Sequence, residues 1–205
     1  MAASDDVRAH PSDRVARLAG IGAIIGAVLW PIALADLGAT AIAAVEDDRA
    51  SVGVGTLIPL AGALLLFSAA LATLERRATR DLGLADLVGD LTIGTATVLV
   101  VITPMLGSSG LLGPAFVLLF VGSVIFGVAG SDGKRRPRWG SILIGIGAGG
   151  LLAVLLVAAT AGAGSLEDLA GTAVLCILLY SVGWAWLGLH LARARPLDPS
   201  PGASS

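Results

Sequence analysis

The sequence is poor in the residues from which catalytic and metal sites are usually built. Among 205 residues there is one cysteine, Cys176, and there are two histidines, His10 and His190. A single cysteine can form neither a disulfide framework nor a thiolate metal site within one chain. The patterns G-x-x-x-x-G-K-[ST], H-E-x-x-H and G-x-S-x-G are absent. We therefore expect a non-enzymatic protein with no cofactor and no bound metal.

Charge is also scarce. Charged residues make up 14% of the chain and hydrophobic residues 56%, whereas about 25% of an ordinary soluble domain is charged. One water-surrounded core of this size cannot hide so much apolar surface, so lipid must cover part of it. Aromatics are only 4%, while alanine and glycine are abundant, which favours helices that approach one another closely. The net charge of -2 indicates no nucleic-acid partner.

Six apolar runs predict an all-α, polytopic membrane protein with six transmembrane helices, since about 20 apolar residues cross a bilayer. The predicted spans form one bundle over 18–192 and cover residues 18–36, 52–74, 88–106, 110–130, 139–162 and 169–191. Residues 1–17 and 193–205 are predicted tails, the second of them disordered. The third span could begin at Leu84, but we prefer a start near Asp90, whose carboxylate would cap the helix.

The first span has an alternative interpretation. Arginines, an apolar run and then Ala33-Leu-Ala35 before Asp36 also resemble a secretory signal peptide with an A-x-A cleavage site. The apolar run is longer than the usual signal core of about 7 to 15 residues. We therefore prefer a membrane span, and either interpretation puts residues 37–51 outside.

Basic residues predict the orientation, because lysine and arginine beside membrane spans are held on the cytoplasmic side. Twelve of the thirteen basic residues fall on one predicted side, Arg49 being the exception. Both termini are then cytoplasmic. Trp139, Trp184 and Trp186 fall near the same boundary, where amphipathic rings prefer to lie. The densest cationic run joins spans four and five and supplies the topology anchors Lys134, Arg135, Arg136 and Arg138.

Small residues recur along one face of the fifth span. They are spaced four apart, so a neighbouring backbone can approach that face closely: Ser141, Gly145, Gly149 and Ala153. The first span has the same spacing at Gly22 and Gly26. We expect a helix-packing seam between these two spans, and the alternative is a homodimer seam.

One proline lies in each of the first four spans, in the predicted outer half: Pro31, Pro59, Pro104 and Pro114. Each proline removes a helical hydrogen bond, and the freed carbonyls could line an outward-facing vestibule. Asp36 follows Pro31 by five residues, and an ionisable group within a span is a functional hypothesis by default. With Thr56 or Thr103 it forms our candidate ion or proton site. The alternative is a hydrated Asp36 at the outer interface.

Two further polar groups have competing interpretations. The threonines of span three could line a path, but they more readily bond back to carbonyls one turn earlier: Thr92, Thr95, Thr97 and Thr103. In span six, one face carries a set that suggests a redox or proton relay: Cys176, Tyr180, Gly183 and His190. We prefer the simpler interpretation, in which His190 reaches interfacial water.

The sequence thus favours a multi-pass protein of a cell membrane that serves as a non-enzymatic interaction or accessory subunit. Its partners would be membrane lipids and a membrane protein or a second copy of itself. Twelve arginines against one lysine suggest a GC-rich prokaryotic source. The alternative function is a small transporter or channel with an outward-facing vestibule and Asp36 as its ion site.

Overall fold

The computed structural model describes residues 11–46, 54–78, 83–106, 109–132, 137–161 and 165–193. Within these ranges the chain is helical and contains no strand. Six of the described helices are long and apolar enough to cross a membrane. The predicted fold class, a polytopic helical membrane protein with six spans, is confirmed.

The helices follow the six apolar runs closely. Their bounds are α1 Pro11–Glu46, α2 Val54–Ala78, α3 Leu84–Leu106, α4 Leu112–Ala129, α5 Arg138–Ala161 and α6 Ser165–Arg193. Two single turns of 3-10 helix, Ser109–Leu111 and Gly130–Asp132, flank α4. Residues 1–10 and 194–205, which belong to the predicted tails, lie outside the described residues.

The first helix is longer than the first predicted span. It has 36 residues, or roughly 54 Å at 1.5 Å per residue, against a hydrocarbon core of about 30 Å. The helix continues past Asp36 to Glu46, because the residues that follow are mostly alanine, leucine and isoleucine and contain no proline. The helix begins at Pro11, where the missing N–H of proline would have no helical partner anyway.

The third helix begins earlier than we preferred. The first helical bond runs from the N–H of Leu87 to the carbonyl of Gly83, at 3.2 Å. The Gly83 N–H donates to Oδ2 of Asp86, at 3.3 Å, so Asp86 rather than Asp90 binds a free donor at this end. Asp90 lies inside the helix, and the predicted cap at Asp90 is wrong.

The six helices form a closed ring in chain order, with α6 packed against α1. Within the described residues α1 and α5 do not contact each other, so our preferred pairing of spans one and five is wrong. Helix α5 packs instead on α4 and α6. Helices α2 and α3 pack least extensively of all adjacent pairs.

Small residues bring the ring neighbours close together. At four joints a Cβ added to one glycine would meet the backbone of the facing glycine: Gly20 with Gly188, Gly89 with Gly122, Gly127 with Gly145, and Gly140 with Gly183. Helices α1 and α6, α3 and α4, α4 and α5, and α5 and α6 are therefore in near backbone contact, as small residues in membrane helices allow.

Candidate functional site

The middle of the ring is occupied by aromatic side chains. Seven of the nine aromatic residues in the chain meet there. We call this set the central aromatic cluster: Trp30, Phe67, Phe116, Phe120, Phe126, Tyr180 and Trp184. Rings of four different helices meet in it, because α1, α2, α4 and α6 all contribute members.

The cluster is closely packed. Phe67 of α2 stacks on Trp184 of α6 with centroids 4.3 Å apart and planes 10° from parallel. The ring centroid of Trp30 lies 5.4 Å from that of Tyr180 and 6.5 Å from that of Phe120. Trp30, Phe67, Tyr180 and Trp184 are each 0% exposed. Such contacts stabilise a core beyond simple burial, and they fill the centre of the bundle at this level.

A hydrogen bond lies inside the same region. The hydroxyl groups of Ser123 and Tyr180 are 3.0 Å apart and buried, and either group can be the donor. This bond joins α4 to α6, which are not neighbours in the ring. Nε1 of Trp30 has no hydrogen-bond partner among the described residues. Within the central aromatic cluster, the Ser123–Tyr180 bond therefore joins two helices across the ring.

The candidate ion site is not assembled as a closed pocket. Asp36 is exposed, whereas Thr56 and Thr103 are buried, with 8% and 2% of their surface exposed. The Thr103 hydroxyl donates to the carbonyl of Leu99 at 2.7 Å. The Thr103 hydroxyl thus uses its proton in a hydrogen bond within α3. The participation of Asp36 in ion binding stays a prediction.

The prolines differ in position. Pro31 and Pro59 lie inside α1 and α2, whereas Pro114 lies in the first turn of α4, where a proline removes no helical bond. Pro31 directly follows Trp30, whose ring belongs to the central aromatic cluster. At the level of Trp30 the predicted vestibule is therefore occupied by aromatic rings.

The threonines of α3 follow the simpler of the two interpretations. Their hydroxyls donate to the carbonyl four residues earlier at 2.6 to 2.9 Å, in all four cases: Thr92, Thr95, Thr97 and Thr103. Thr97 also lies 3.0 Å from the hydroxyl of Ser68 on α2. The Ser68–Thr97 pair links the two helices that pack least against each other.

The predicted small-residue seam exists, but with different partners. On α5, a Cβ added at Gly145 would lie 3.2 Å from Cα of Gly127 on α4. One at Gly149 would lie 3.7 Å from a methyl of Val124, also on α4. Ser141 is buried next to the same joint and Ala153 is exposed.

On α1, the glycine pair faces α2 rather than α5. A Cβ at Gly22 would lie 3.1 Å from Leu66, and one at Gly26 would lie 2.9 Å from the ring of Phe67. The seam thus splits into two separate joints, α4 with α5 and α1 with α2.

The polar face of α6 does not form a relay. Tyr180 bonds to Ser123, Cys176 is buried against Gly150, and His190 is exposed at the helix end. Within the described ranges no group of three histidine, cysteine or acidic side chains could hold a metal ion.

The topology anchors lie mostly outside the described residues, since Lys134, Arg135 and Arg136 are not described. Arg138 is exposed at the first position of α5. Trp139 and Trp186 are 65% and 50% exposed, and their position at the membrane boundary stays a prediction. Trp184 is instead fully buried in the central aromatic cluster, so its predicted interfacial position is wrong.

A groove of about 520 Å³ runs between α2 and α3. Its walls are largely apolar and include Leu71, Ala72, Leu87, Leu91, Gly94 and Val98. Glu75 and Asp90 line one end, and Ser68 and Thr95 lie further along. We call it the α2–α3 groove. Sequence reasoning missed it, because it depends on how closely two helices pack.

Comparison with protein-family models, with curated proteins and with solved structures finds no significant match to this chain. The fold itself defines the class, a multi-pass helical membrane protein. Any more specific statement depends on the sites described above.

Proposed function

We propose that this chain is a non-enzymatic membrane protein that acts by binding other membrane components, as an interaction or accessory subunit. The central aromatic cluster is the observation that carries the proposal. A solute path through a helical bundle needs polar groups or water along it. Here buried rings in mutual contact occupy the middle of the ring of helices.

The short connections support the same proposal. The longest connection between successive membrane helices covers residues 130–137, between Ala129 and Arg138. Segments of this length are too short to form a separate ligand-binding domain between two helices. Recognition would therefore occur along the exposed helix faces or at the basic end of the bundle, where each lysine or arginine near anionic lipid gains about 1 kcal/mol.

The location proposed is the cell membrane of a prokaryote, with both termini in the cytoplasm. The arginine-rich composition supports the source. The basic residues between α4 and α5, at the end of α2 and after α6 support the orientation.

Transport is the second candidate, and the prolines inside α1 and α2 are the observation that favours it. Helices interrupted by proline can bend, and a bend near Pro31 would be needed to open a path past Trp30. Asp36 would then serve as the ion site. We rank this function second because Asp36 is exposed while Thr56 and Thr103 are buried.

Reconstitution separates the two functions. The purified chain is placed in liposomes, and proton and sodium fluxes are measured for the wild type, for Asp36→Ala and for Asp168→Ala. Asp168 is the matched control, because it is also an exposed acid but lies on a different helix, α6. An accessory role predicts the same background flux in all three. Flux that Asp36→Ala abolishes and Asp168→Ala retains would overturn the proposal in favour of transport.

The accessory role has a positive test as well. Photo-crosslinking residues are placed on exposed faces at Ile25, Leu65 and Leu178, which are 49%, 53% and 50% exposed, and at the buried Leu64 as a control. The proposal predicts one discrete cross-linked protein at an exposed position in intact cells and none at Leu64. Cross-links to lipid alone at every exposed position would count against a protein partner.

A further inference from the structure

We propose that the joint between α1 and α6 binds one phospholipid with a net negative headgroup, at the basic end of the bundle where α1 begins and α6 ends. The phosphate would lie between the guanidinium groups of Arg17 and Arg193, and the acyl chains would follow the outward faces of the two helices. The inference rests on the recognition at the basic end proposed above, and it requires no protein partner.

Contacts between α1 and α6 place the two arginines at the same level. A Cβ added at Gly20 of α1 would lie 2.6 Å from the backbone nitrogen of Ala192 on α6, and the two helices run in opposite directions. Arg17 precedes Gly20 by three residues, and Arg193 directly follows Ala192. Both arginines therefore lie within about one helical turn of this contact, on neighbouring helices and toward the same end.

These arginines are not neutralised by described partners. Arg14, Arg17 and Arg193 are all exposed, and in the part of the chain that the structure describes none of the three forms an ion pair or a side-chain hydrogen bond. Residues three apart on a helix are neighbours, and like charges there repel, as Arg14 and Arg17 must. An anion bound beside them would relieve that repulsion.

The cationic charge is concentrated on this side of the basic end. Residues 11–35 and 183–193 together contain three arginines and one acid, Asp13, which leaves a net charge of +2. On the other side of the ring, residues 75–90 at the end of α2 and the start of α3 contain four acids and three arginines. An anionic headgroup is therefore attracted to the α1–α6 joint and not to the α2–α3 joint.

The type of cation favours a phosphate. A guanidinium group presents its N–H donors as a planar fork that can bind two phosphate oxygens at once, and basic pockets between membrane helices bind lipid phosphates in this way. A zwitterionic headgroup would also bring its own ammonium or choline cation close to the arginines. A headgroup such as glycerol adds no cation, so a phospholipid of net negative charge fits the site better.

The two helices supply an apolar path next to the arginines. Ile21 and Val28 follow Arg17 by four and eleven residues on one face of α1, and they are 42% and 60% exposed. On α6, Val182 precedes Arg193 by eleven residues and is 50% exposed. Such residues contact acyl chains in a bilayer, so a lipid held at its phosphate can lay its chains along both helices.

Native mass spectrometry tests the proposal. The full chain is taken from mixed micelles that hold equal amounts of phosphatidylglycerol, phosphatidylcholine and phosphatidylethanolamine with identical acyl chains. We expect one phosphatidylglycerol per chain to be retained over either of the other lipids by about fivefold, the effect of one arginine near an anionic lipid. Equal retention of the three lipids, or a preference for phosphatidylethanolamine, would overturn the proposal.

Paired substitutions locate the lipid. Arg17→Gln combined with Arg193→Gln should reduce the preference for phosphatidylglycerol to near unity. Arg17→Lys combined with Arg193→Lys keeps the charge but removes the planar fork, so part of the preference should remain. Arg76→Gln is the matched control and should leave the preference unchanged, because Arg76 is also exposed but directly follows Glu75 at the end of α2.

Two further outcomes would contradict the site. One is a preference that persists in the paired glutamine variant or falls equally in Arg76→Gln. The other concerns a second copy of this chain: if Val182→Cys in a Cys176→Ala background forms disulfide-linked dimers in the bilayer, then a second copy covers this face instead of a lipid. The cross-links that test the accessory role are a separate measurement, so either proposal can fail while the other holds.

Discussion

At the joint between α4 and α5, we predict that replacing Gly127 by alanine destabilises the protein more than replacing the facing Gly145 by alanine. A Cβ added at Gly127 would lie 2.5 Å from Cα of Gly145 and 2.8 Å from the carbonyl oxygen of Ser141. Both obstacles are backbone atoms, so no rotation of a side chain relieves the overlap. A Cβ added at Gly145 would lie 3.2 Å from Cα of Gly127, which requires a shift of only a few tenths of an ångström.

The expected magnitudes follow from these distances. Overpacking of a close-packed interface costs about 1 to 3 kcal/mol, and replacing glycine by alanine inside a helix returns up to about 1 kcal/mol. Gly127→Ala should therefore lose about 1 to 2 kcal/mol, or about 2 to 8 °C in Tm for a chain of this size. Gly145→Ala should change stability little. Gly62→Ala is the control, with no atom near the added Cβ, and should be equal to or slightly more stable than the wild type.

Thermal unfolding in dodecyl maltoside, followed by tryptophan fluorescence, measures this order. Trp30 and Trp184 are fully buried and should report loss of the packed centre. The expected order of stability is Gly62→Ala, then Gly145→Ala, then Gly127→Ala. If Gly127→Ala is as stable as Gly145→Ala, then the close approach of α4 and α5 is not what the structure indicates.

Three further predictions test other parts of the molecule. A double-mutant cycle of Ser123→Ala and Tyr180→Phe should give a coupling of about 0.6 kcal/mol, typical of interhelical bonds in membranes, and zero coupling would contradict the bond. A Lys134→Cys variant in a Cys176→Ala background should react with an impermeant maleimide only after the cells are opened, and labelling of intact cells would mean the opposite orientation. Asp36→Ala should change stability by no more than about 0.5 kcal/mol, because Asp36 is exposed, and a larger loss would indicate a buried role.

The number and extent of the spans could be predicted from the sequence because hydrocarbon thickness sets the length of an apolar run. The continuation of α1 to Glu46 could not, because an apolar run gives the length of a span and not the length of the helix that contains it. A single acid at the edge of the membrane does not break a helix, and the alanine-rich segment after it forms helix readily. The start of α3 was misplaced for a related reason, since Asp86 rather than Asp90 binds the free Gly83 N–H.

Helix partners were harder to predict. The spacing of Ser141, Gly145 and Gly149 correctly indicates a face that another backbone can approach. The spacing does not indicate which helix approaches, because a helix face made of small residues can pack against any other helix face of the same kind. The ring places α4 beside α5, and it leaves Gly22 and Gly26 to α2.

The central aromatic cluster was missed, although the sequence held a signal for it. Aromatic residues are scarce, yet eight of the nine lie within four of the spans. We gave Trp184 an interfacial position because it lies near the end of α6. Trp184 and Trp186 in fact lie on opposite sides of the helix, the first buried and the second exposed, and only a partner such as Phe67 distinguishes them.

Small residues and aromatic rings together account for how the space at the centre of the six helices is closed. Six helices in a ring leave a central space, and lipid gives no hydrophobic driving force for closing it. Glycine at the joints between neighbours lets the backbones approach, which narrows that space, and the aromatic side chains are large enough to fill what remains. The joint between α2 and α3 departs from this arrangement, since no described glycine of either helix closely approaches the other, and the Ser68–Thr97 bond lies beside an open groove. We therefore expect that lipid chains enter between α2 and α3 more readily than between the other adjacent helices.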